Sequence, residues 1–479
     1  MCGILLSKKE NTNLERLNSI SHRGIESKVI EDREWYLCHH RLPIQTLDGD
    51  EWSQPISIGY DKYLLFNGEI FNYPEGYSSD IEYLKDIFKD VDIERSSWFS
   101  SLYSSRMNLW DGFWAIVIYD SSSERVLCFT DPLGKKQLYY NEEGEICSEI
   151  KGLINKDTGI NYEFISAVKK FGYNHNNQTA YNGTYRILPN NIYSWDLRYP
   201  HFQDVVNDYN PDIKKKMLIP DTYEKRMEWI REELFESTRR RLLSKNYPIS
   251  VLLSGGLDST IITSILHHMG AKVNYFTIEN GEDDFYVREC ENYFGINVRR
   301  LKYSLNLEDP LNSEIMKEIY RKWNESPIDL GSVVPQYWLF DAVKKQTGFR
   351  IVISGDGADE LFGGYKRINQ YDSQMSDIFT ELTYYHLPRL DKMSMAHTLE
   401  LRNPFLSLDI LRFAISLPIE ERTNKKILKD AFSGMIPQSV IERSKFALKN
   451  DQIRNTPEEY KDKAISIFLP DPDIYFKNK

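Results

Sequence analysis

The chain has 479 residues, 41% hydrophobic and 13% aromatic, enough to bury two or more cores. A formal net charge of -11 excludes a scaffold that tracks nucleic-acid phosphates over an extended surface, which needs clustered Lys and Arg; the runs Lys214-Lys215-Lys216 and Arg239-Arg240-Arg241 read as solvated faces. The first residues lack the charged flank and long apolar core of a signal peptide, no stretch of 18 apolar residues appears and the five cysteines have no C-x-x-C spacing, so the expectation is a cytoplasmic protein without membrane segment, zinc site or disulfide frame.

At the amino terminus Met1 precedes Cys2-Gly3. Removal of the methionine would leave a cysteine bearing its own free α-amine, a nucleophile and a base on one residue. Residues 35–40, 62–66 and 113–120 are short apolar or alternating runs between Gly, Asp and Pro turns, the pattern of strands. The polar, Pro- and Lys-bearing segment 207–220 predicts a linker. From Thr222 the spacing turns helical, with Met227, Ile230, Leu234 and Leu242 near one face. Strand-like residues 250–253, 273–278 and 350–354 then alternate with helical stretches, which predicts a parallel sheet wound by helices.

The first of these later strands runs into Ser254-Gly255-Gly256-Leu257-Asp258-Ser259-Thr260. Paired glycines let the main chain approach an oxyanion, the hydroxyls of Ser254, Ser259 and Thr260 can donate to it, and the following helix offers unpaired N–H groups. No Lys follows the glycines, so this is not the nucleoside triphosphatase loop, and an internal Asp258 makes sense if Mg2+ bridges it to phosphate. A second Gly-rich acidic loop, Ser354-Gly355-Asp356-Gly357-Ala358-Asp359-Glu360, ends another strand. In an open parallel sheet ligands bind beyond the carboxyl ends of strands, where the loops after Leu253, Ile278 and Ile353 lie.

The first loop resembles the S-G-G-x-D-S loop of ATP pyrophosphatases. Met1-Cys2-Gly3-Ile4, Ser21-His22-Arg23-Gly24, Arg41-Leu42-Pro43-Ile44-Gln45, Gln54-Pro55, Phe66-Asn67-Gly68-Glu69 and Ser79-Asp80-Ile81-Glu82 come in the order of class II glutamine amidotransferases. The segment 354–365 resembles S-G-[ED]-G-x-D-E-x-F-x-G-Y, and 391–406 resembles D-x-x-S-M-A-x-[ST]-x-E-x-R-x-P-[FL]. Together the chain is similar to the asparagine synthetase family of the glutamine-hydrolysing type. His22-Arg23-Gly24-Ile25-Glu26 and Thr130-Asp131-Pro132-Leu133-Gly134 depart from the family's usual His-Arg-Gly-Pro-Asp and Arg-Asp-Pro-x-Gly, and only residues 73–78 separate Asn72 from Ser79, where typical members insert a helix.

The resemblance implies an α+β N-terminal-nucleophile sandwich of αββα type, shortened, over residues 1–206. It further implies a linker at 207–220 and, over 221–479, an α/β parallel-sheet ATP-pyrophosphatase domain with a mostly helical carboxyl-terminal part. It implies catalysis by Cys2, with an oxyanion hole from Asn67 and Gly68. The implied glutamine pocket comprises Arg41, Leu42, Pro43, Ile44, Gln45, Asn67, Gly68, Glu69 and Asp80, in which Arg41 grips the α-carboxylate and Asp80 the ammonium. ATP contacts map onto Leu252, Ser254, Gly255, Gly256, Asp258, Ser259, Ile278, Ser354 and Gly355, with Mg2+ held through pyrophosphate by Asp258 and Asp359. Asp356 supports formation of the acyl-adenylate, and Lys445 neutralises phosphate charge. Lys426 and Lys429 resemble a K-x-x-L-[RK] segment, and Glu400 with Arg402 reads as a buried pair fixing a helix end.

The implied reaction is glutamine-dependent asparagine synthesis through an aspartyl-adenylate, with ATP and Mg2+. Partners would be small molecules, with no nucleic acid and no membrane, and a homodimer is the candidate assembly. Two alternatives remain at this level: the same chemistry on another carboxylate (peptide, sugar or small metabolite), and an idle binding protein, against which the intact acidic set argues.

Overall fold

The computed structural model describes residues 1–44, 52–93, 106–206 apart from 172, 175, 190, 201 and 202, 216–302 apart from 280, 330–365 and 380–443, with single residues 102 and 318. Gln45, Lys445 and most of the segment 207–220 lie outside the described residues. Strands β1 (Gly3–Lys8), β2 (Glu26–Asp32), β3 (Trp35–Arg41), β4 (Ile56–Gly59), β5 (Lys62–Ile70), β6 (Gly112–Asp120), β7 (Arg125–Thr130), β8 (Tyr139–Asn141), β9 (Ile146–Cys147), β10 (Thr184–Arg186), β11 (Ile192–Asp196) and β12 (Gln203–Val206) fill the first part. They make two six-stranded antiparallel sheets, ordered β10-β8-β9-β1-β3-β2 and β12-β11-β7-β6-β5-β4.

The sheets face one another across a core of Ile4, Leu6, Trp35 and Leu37 from one and Leu65, Ala115, Val117 and Cys128 from the other. Outside the second sheet the helix Asp80–Phe88 seals Ile81, Leu84 and Phe88 onto Phe66, Ile116 and Phe129. Outside the first, the helix Tyr162–Phe171 seals Phe164, Ile165 and Val168 onto Leu5, Cys38 and Cys147. The layers thus run helix, sheet, sheet, helix. Every residue of β6 is buried because both its faces are covered, which is why it reads as a continuous apolar run although its sheet is antiparallel.

The later part is built on a five-stranded parallel sheet, β15-β14-β13-β16-β17, from β13 (Ile249–Leu252), β14 (Val273–Ile278), β15 (Val298–Leu301), β16 (Ile351–Ile353) and β17 (Glu400–Arg402). The helices Tyr223–Arg240, Leu257–His268 and Leu330–Thr347 pack on it. Thr222 caps the first of them, its side chain accepting from the backbone N–H of Lys225. Ile230 and Leu234 face the core as the spacing predicts; Leu242 lies beyond the helix end yet packs on the same core.

Buried ion pairs tie the antiparallel and parallel parts together. Asp391 receives Arg23 Nη2 at 2.9 Å and Lys136 Nζ at 2.7 Å, and Arg241 grips Asp111 with two nitrogens at 2.8 and 3.1 Å. These cations hold the carboxyls of Asp391 and Asp111 below the usual range despite burial. Because removing one partner strands the others in a low dielectric, Asp391→Ala is expected to cost about 3–5 kcal/mol. A denaturant titration checks this, and a wild-type midpoint would contradict it.

Candidate active site

Cys2 immediately precedes β1, and its backbone N–H donates to Asn67 Oδ1 at 2.8 Å. Asn67 belongs to β5, opposite Ala115 of β6. Asn67-Gly68 is therefore a strand segment and not the hairpin turn that the dipeptide alone would suggest. A Cβ on Gly68 would lie 2.1 Å from the carbonyl oxygen of Phe113, so close strand approach alone requires glycine there. Asn67 is fully buried, and among the described residues its Nδ2 has no acceptor. A buried amide donor left without a partner costs about 1–3 kcal/mol, which singles out Asn67 among the described residues.

Burial raises the Cys2 thiol, while the nearby amino terminus, the Leu42 backbone N–H and Arg41 pull it back. Arg41 ends β3 and pairs with Glu26 Oε2 at 3.1 Å. Leu42 and Ile44 are buried against the core of the parallel-sheet part, and the Pro43 carbonyl accepts from Arg350. Arg23, fully buried, donates to the Cys2 carbonyl at 3.0 Å and to Glu149 at 2.8 Å.

Behind Cys2, three carboxylates gather around one guanidinium. Arg402 Nε donates to Glu400 Oε1 at 2.5 Å, and Arg402 Nη2 stands 3.7 Å from Glu69 Oε1. Asp80, at the start of its helix, accepts from the Ile70 N–H at 3.1 Å. Burial pushes Asp80 up to about 7 and Glu69 well above the carboxylate range. The Met1 amine reaches Glu400 Oε2 at 3.0 Å, and its side chain fills an apolar space with Phe71, Phe113 and Met395. Glu400 and Arg402 are the buried pair expected, but they lie on β17 and not at a helix end. Three residues of a parallel-sheet edge strand carried no periodicity to distinguish them from a helix terminus.

The two glycine-rich loops meet at the carboxyl ends of β13 and β16. Gly255 has φ +67, a left-handed conformation suited to glycine. A Cβ on Gly355 would lie 2.7 Å from the backbone of Asp258, so the loops touch at that glycine. Gly256 precedes the helix Leu257–His268, whose first turn carries Asp258 and Ser259. Ser254 and Ser259 hydroxyls are 3.2 Å apart, and Ser254 Oγ also accepts from the Gly256 N–H at 3.3 Å. Leu252 and Ile278 end the adjacent strands β13 and β14. Ser354 Oγ donates to Asp356 Oδ2 at 2.5 Å, and burial raises the Asp356 carboxyl.

Asp258 and Asp359 converge on one cation, the Lys425 ammonium, at 2.6 and 2.5 Å. Two carboxylates aimed at one point fit a Mg2+ bound mainly through phosphate and water; among the described residues no group of three or more His, Cys, Asp or Glu could hold a metal. Sequence reading missed Lys425. It falls one residue before Lys426, which instead pairs with Asp430 on the surface. Asn424 and Lys425 are both left-handed, with φ 55 and 58, and their N–H groups bond to the Gly363 and Phe362 carbonyls. That turn swings Lys425 inward, and the K-x-x-L-K spacing was the signal that could have found it. Arg443, 3.3 Å from the Ser254 carbonyl, was also missed as a loop contact.

Residues 1–201 match the model of the glutamine amidotransferase domain, and residues 229–379 and 370–466 match that of asparagine synthase. The chain is 25% identical to a probable glutamine-hydrolysing asparagine synthetase of Acanthamoeba polyphaga mimivirus, covering 91% of this chain and 82% of the relative. It is 26% identical to the glutamine-hydrolysing asparagine synthetases of Mesocricetus auratus and Homo sapiens, covering 94% of this chain and 84% of each relative. Two ordered domain matches and relatives aligned over most of their length agree: the chain belongs to the asparagine synthetase family, glutamine-hydrolysing type.

Proposed function

We propose that this chain makes asparagine from aspartate, glutamine and ATP. The observation that carries the reading is the buried, acceptorless Asn67 Nδ2 beside Cys2, in a chain that also brings together Asp258, Asp359 and Lys425. The activity for which these relatives are named agrees with it. Residues 1–206 would form an N-terminal-nucleophile glutaminase of αββα type and residues 221–479 an ATP-pyrophosphatase-type synthetase, joined by 207–220. The protein would act in the cytoplasm on small molecules, as a homodimer and without nucleic acid; among the described residues no helix is long and apolar enough to cross a membrane.

Loss of Met1 frees the Cys2 amine, which takes the thiol proton. The thiolate attacks the side-chain amide carbon of glutamine, and Asn67 Nδ2 with the Gly68 N–H meets the developing oxyanion. Arg41 holds the α-carboxylate and Asp80 the ammonium of glutamine, in a pocket completed by Leu42, Pro43, Ile44, Gln45 and Glu69. Ammonia leaves with the proton, and water releases glutamate from the thioester.

In the synthetase domain an aspartate side-chain oxygen attacks the α-phosphorus of ATP and pyrophosphate departs. The loop Ser254, Gly255, Gly256 and Ser259 receives pyrophosphate, Leu252, Ile278, Ser354 and Gly355 hold the nucleoside, and Lys425 and Lys445 offset phosphate charge. Mg2+, held by Asp258 and Asp359, would supply further charge neutralisation when bound. Asp356 supports adenylate formation, and ammonia then displaces AMP at the acyl carbon. Ammonia would reach the acyl carbon through an internal passage; Met1, before its removal, packs with Phe71, Phe113 and Met395.

Asn67→Ala is expected to lower kcat of glutamine hydrolysis by about 10^2–10^3-fold, the usual worth of one oxyanion donor, while synthesis from ammonium salts is unchanged. Unimpaired hydrolysis would contradict the assignment. Pyrophosphate release across a panel of carboxylic acids tests the acceptor: aspartate should drive it, and a stronger response to another acid would replace aspartate in the reading.

A further inference from the structure

Four side chains outside the set above stand in a row beside the loop that bears Asp356. Tyr365 Oη donates to Glu360 Oε1 at 2.9 Å, His386 Nε2 is 3.6 Å from the same oxygen, and Arg389 Nη2 is 3.2 Å from His386 Nδ1. Glu360 lies in the short helix Ala358–Leu361 that follows the loop. His386 and Arg389 approach from the π-helical turn Leu382–His386 and the helix Leu387–Met395 into which it runs. Such π turns recur at functional sites. Arg389 and Glu360 are both buried, and the Arg389 charge acts on Asp356 and Tyr365 alike.

An acceptor amino acid with two carboxylates poses a selection problem. Only the side-chain carboxylate is to be activated, so the α-carboxylate and the α-ammonium must be held by fixed opposite charges. A guanidinium suits the first, since its fork matches a carboxylate. A buried carboxylate suits the second. Glu360 is buried and is held in place by the Tyr365 hydroxyl at 2.9 Å.

We infer that Arg389 grips the α-carboxylate and Glu360 the α-ammonium of the acceptor, leaving its side-chain carboxylate to face the nucleotide. This rests on the aspartate-activating reading above. His386 and Tyr365 are positioning residues that hold the two charges apart.

Two truncated acceptors test it in the full-length enzyme with ammonium as nitrogen source: β-alanine lacks the α-carboxylate, and succinate lacks the ammonium. Sites built to pair a polar group reject analogues lacking it by about 10^4-fold. Wild-type pyrophosphate release should therefore favour aspartate over each analogue by about 10^3-fold or more in kcat/KM. Arg389→Gln should collapse the aspartate to β-alanine ratio to below about 10 while keeping the succinate penalty, and Glu360→Gln should do the reverse. KM for ATP and glutamine hydrolysis should stay at wild-type values in both. Arg389→Lys, which keeps charge without the fork, should fall between. A wild type that accepts β-alanine as well as aspartate overturns the inference without any variant. Retention of the full preference by Arg389→Gln or Arg389→Lys also overturns it. Absence of aspartate-dependent pyrophosphate release in the wild type instead overturns the functional reading itself.

Discussion

Replacing Cys2 with alanine is expected to abolish glutamine-supported synthesis, by about 10^4-fold or more in kcat, and to leave ammonium-supported synthesis at the wild-type rate. The physical reason is division of labour. Cys2 touches Asn67 and the Leu42 N–H in the antiparallel part, whereas the glycine-rich loops that would bind ATP lie at the carboxyl ends of strands of a different, parallel sheet. The alanine removes only Sγ, and the backbone bonds to Asn67 and Arg23 persist, so packing across the interface is kept. Amide product formed from glutamine and from ammonium chloride, measured side by side, decides the matter. Joint loss of both activities in a folded variant would contradict it.

The second large effect is expected from Asp258→Asn. Asp258 and Asp359 share Lys425 at 2.6 and 2.5 Å, so the neutral amide removes one of two carboxylates from the point where they converge. Acceptor-dependent pyrophosphate release should fall by about 10^2–10^3-fold, with glutamine hydrolysis intact. Lys425→Met should also lower pyrophosphate release, since it deletes a cation and leaves two neighbouring carboxylates to repel one another. Its failure to do so would show that Lys425 is a structural counter-ion alone. The two variants thus separate the anionic from the cationic half of the site.

Local chemistry was legible in the sequence where spacing encodes it. Strand-to-glycine-loop-to-helix at 249–268 and 351–361 is a contiguous signal, and both loops stand at carboxyl ends of a parallel sheet. Cys2 bonds to Asn67 of β5, and Asp80 accepts from Ile70 at the end of the same strand. Contacts that join residues hundreds of positions apart were not legible. Glu400 meeting the Met1 amine, Arg23 meeting Asp391 and Lys135 Nζ meeting the Leu406 carbonyl arise only when the two parts dock. Lys425 was lost to a one-residue choice, because two adjacent lysines could each open the K-x-x-L-[RK] segment and only the left-handed turn at Asn424 and Lys425 shows which of them points inward. The role of Gly68 was half legible: the motif marked it, but only strand pairing reveals that no side chain fits there.

The most direct test of the nitrogen relay is isotopic. Synthesis is run with glutamine labelled at its amide nitrogen in the presence of excess unlabelled ammonium, and the label in the new amide is compared with that of the bulk ammonia. Delivery from Cys2 through an internal passage predicts product labelled well above the bulk pool. Product carrying the isotope ratio of the bulk ammonia would contradict it.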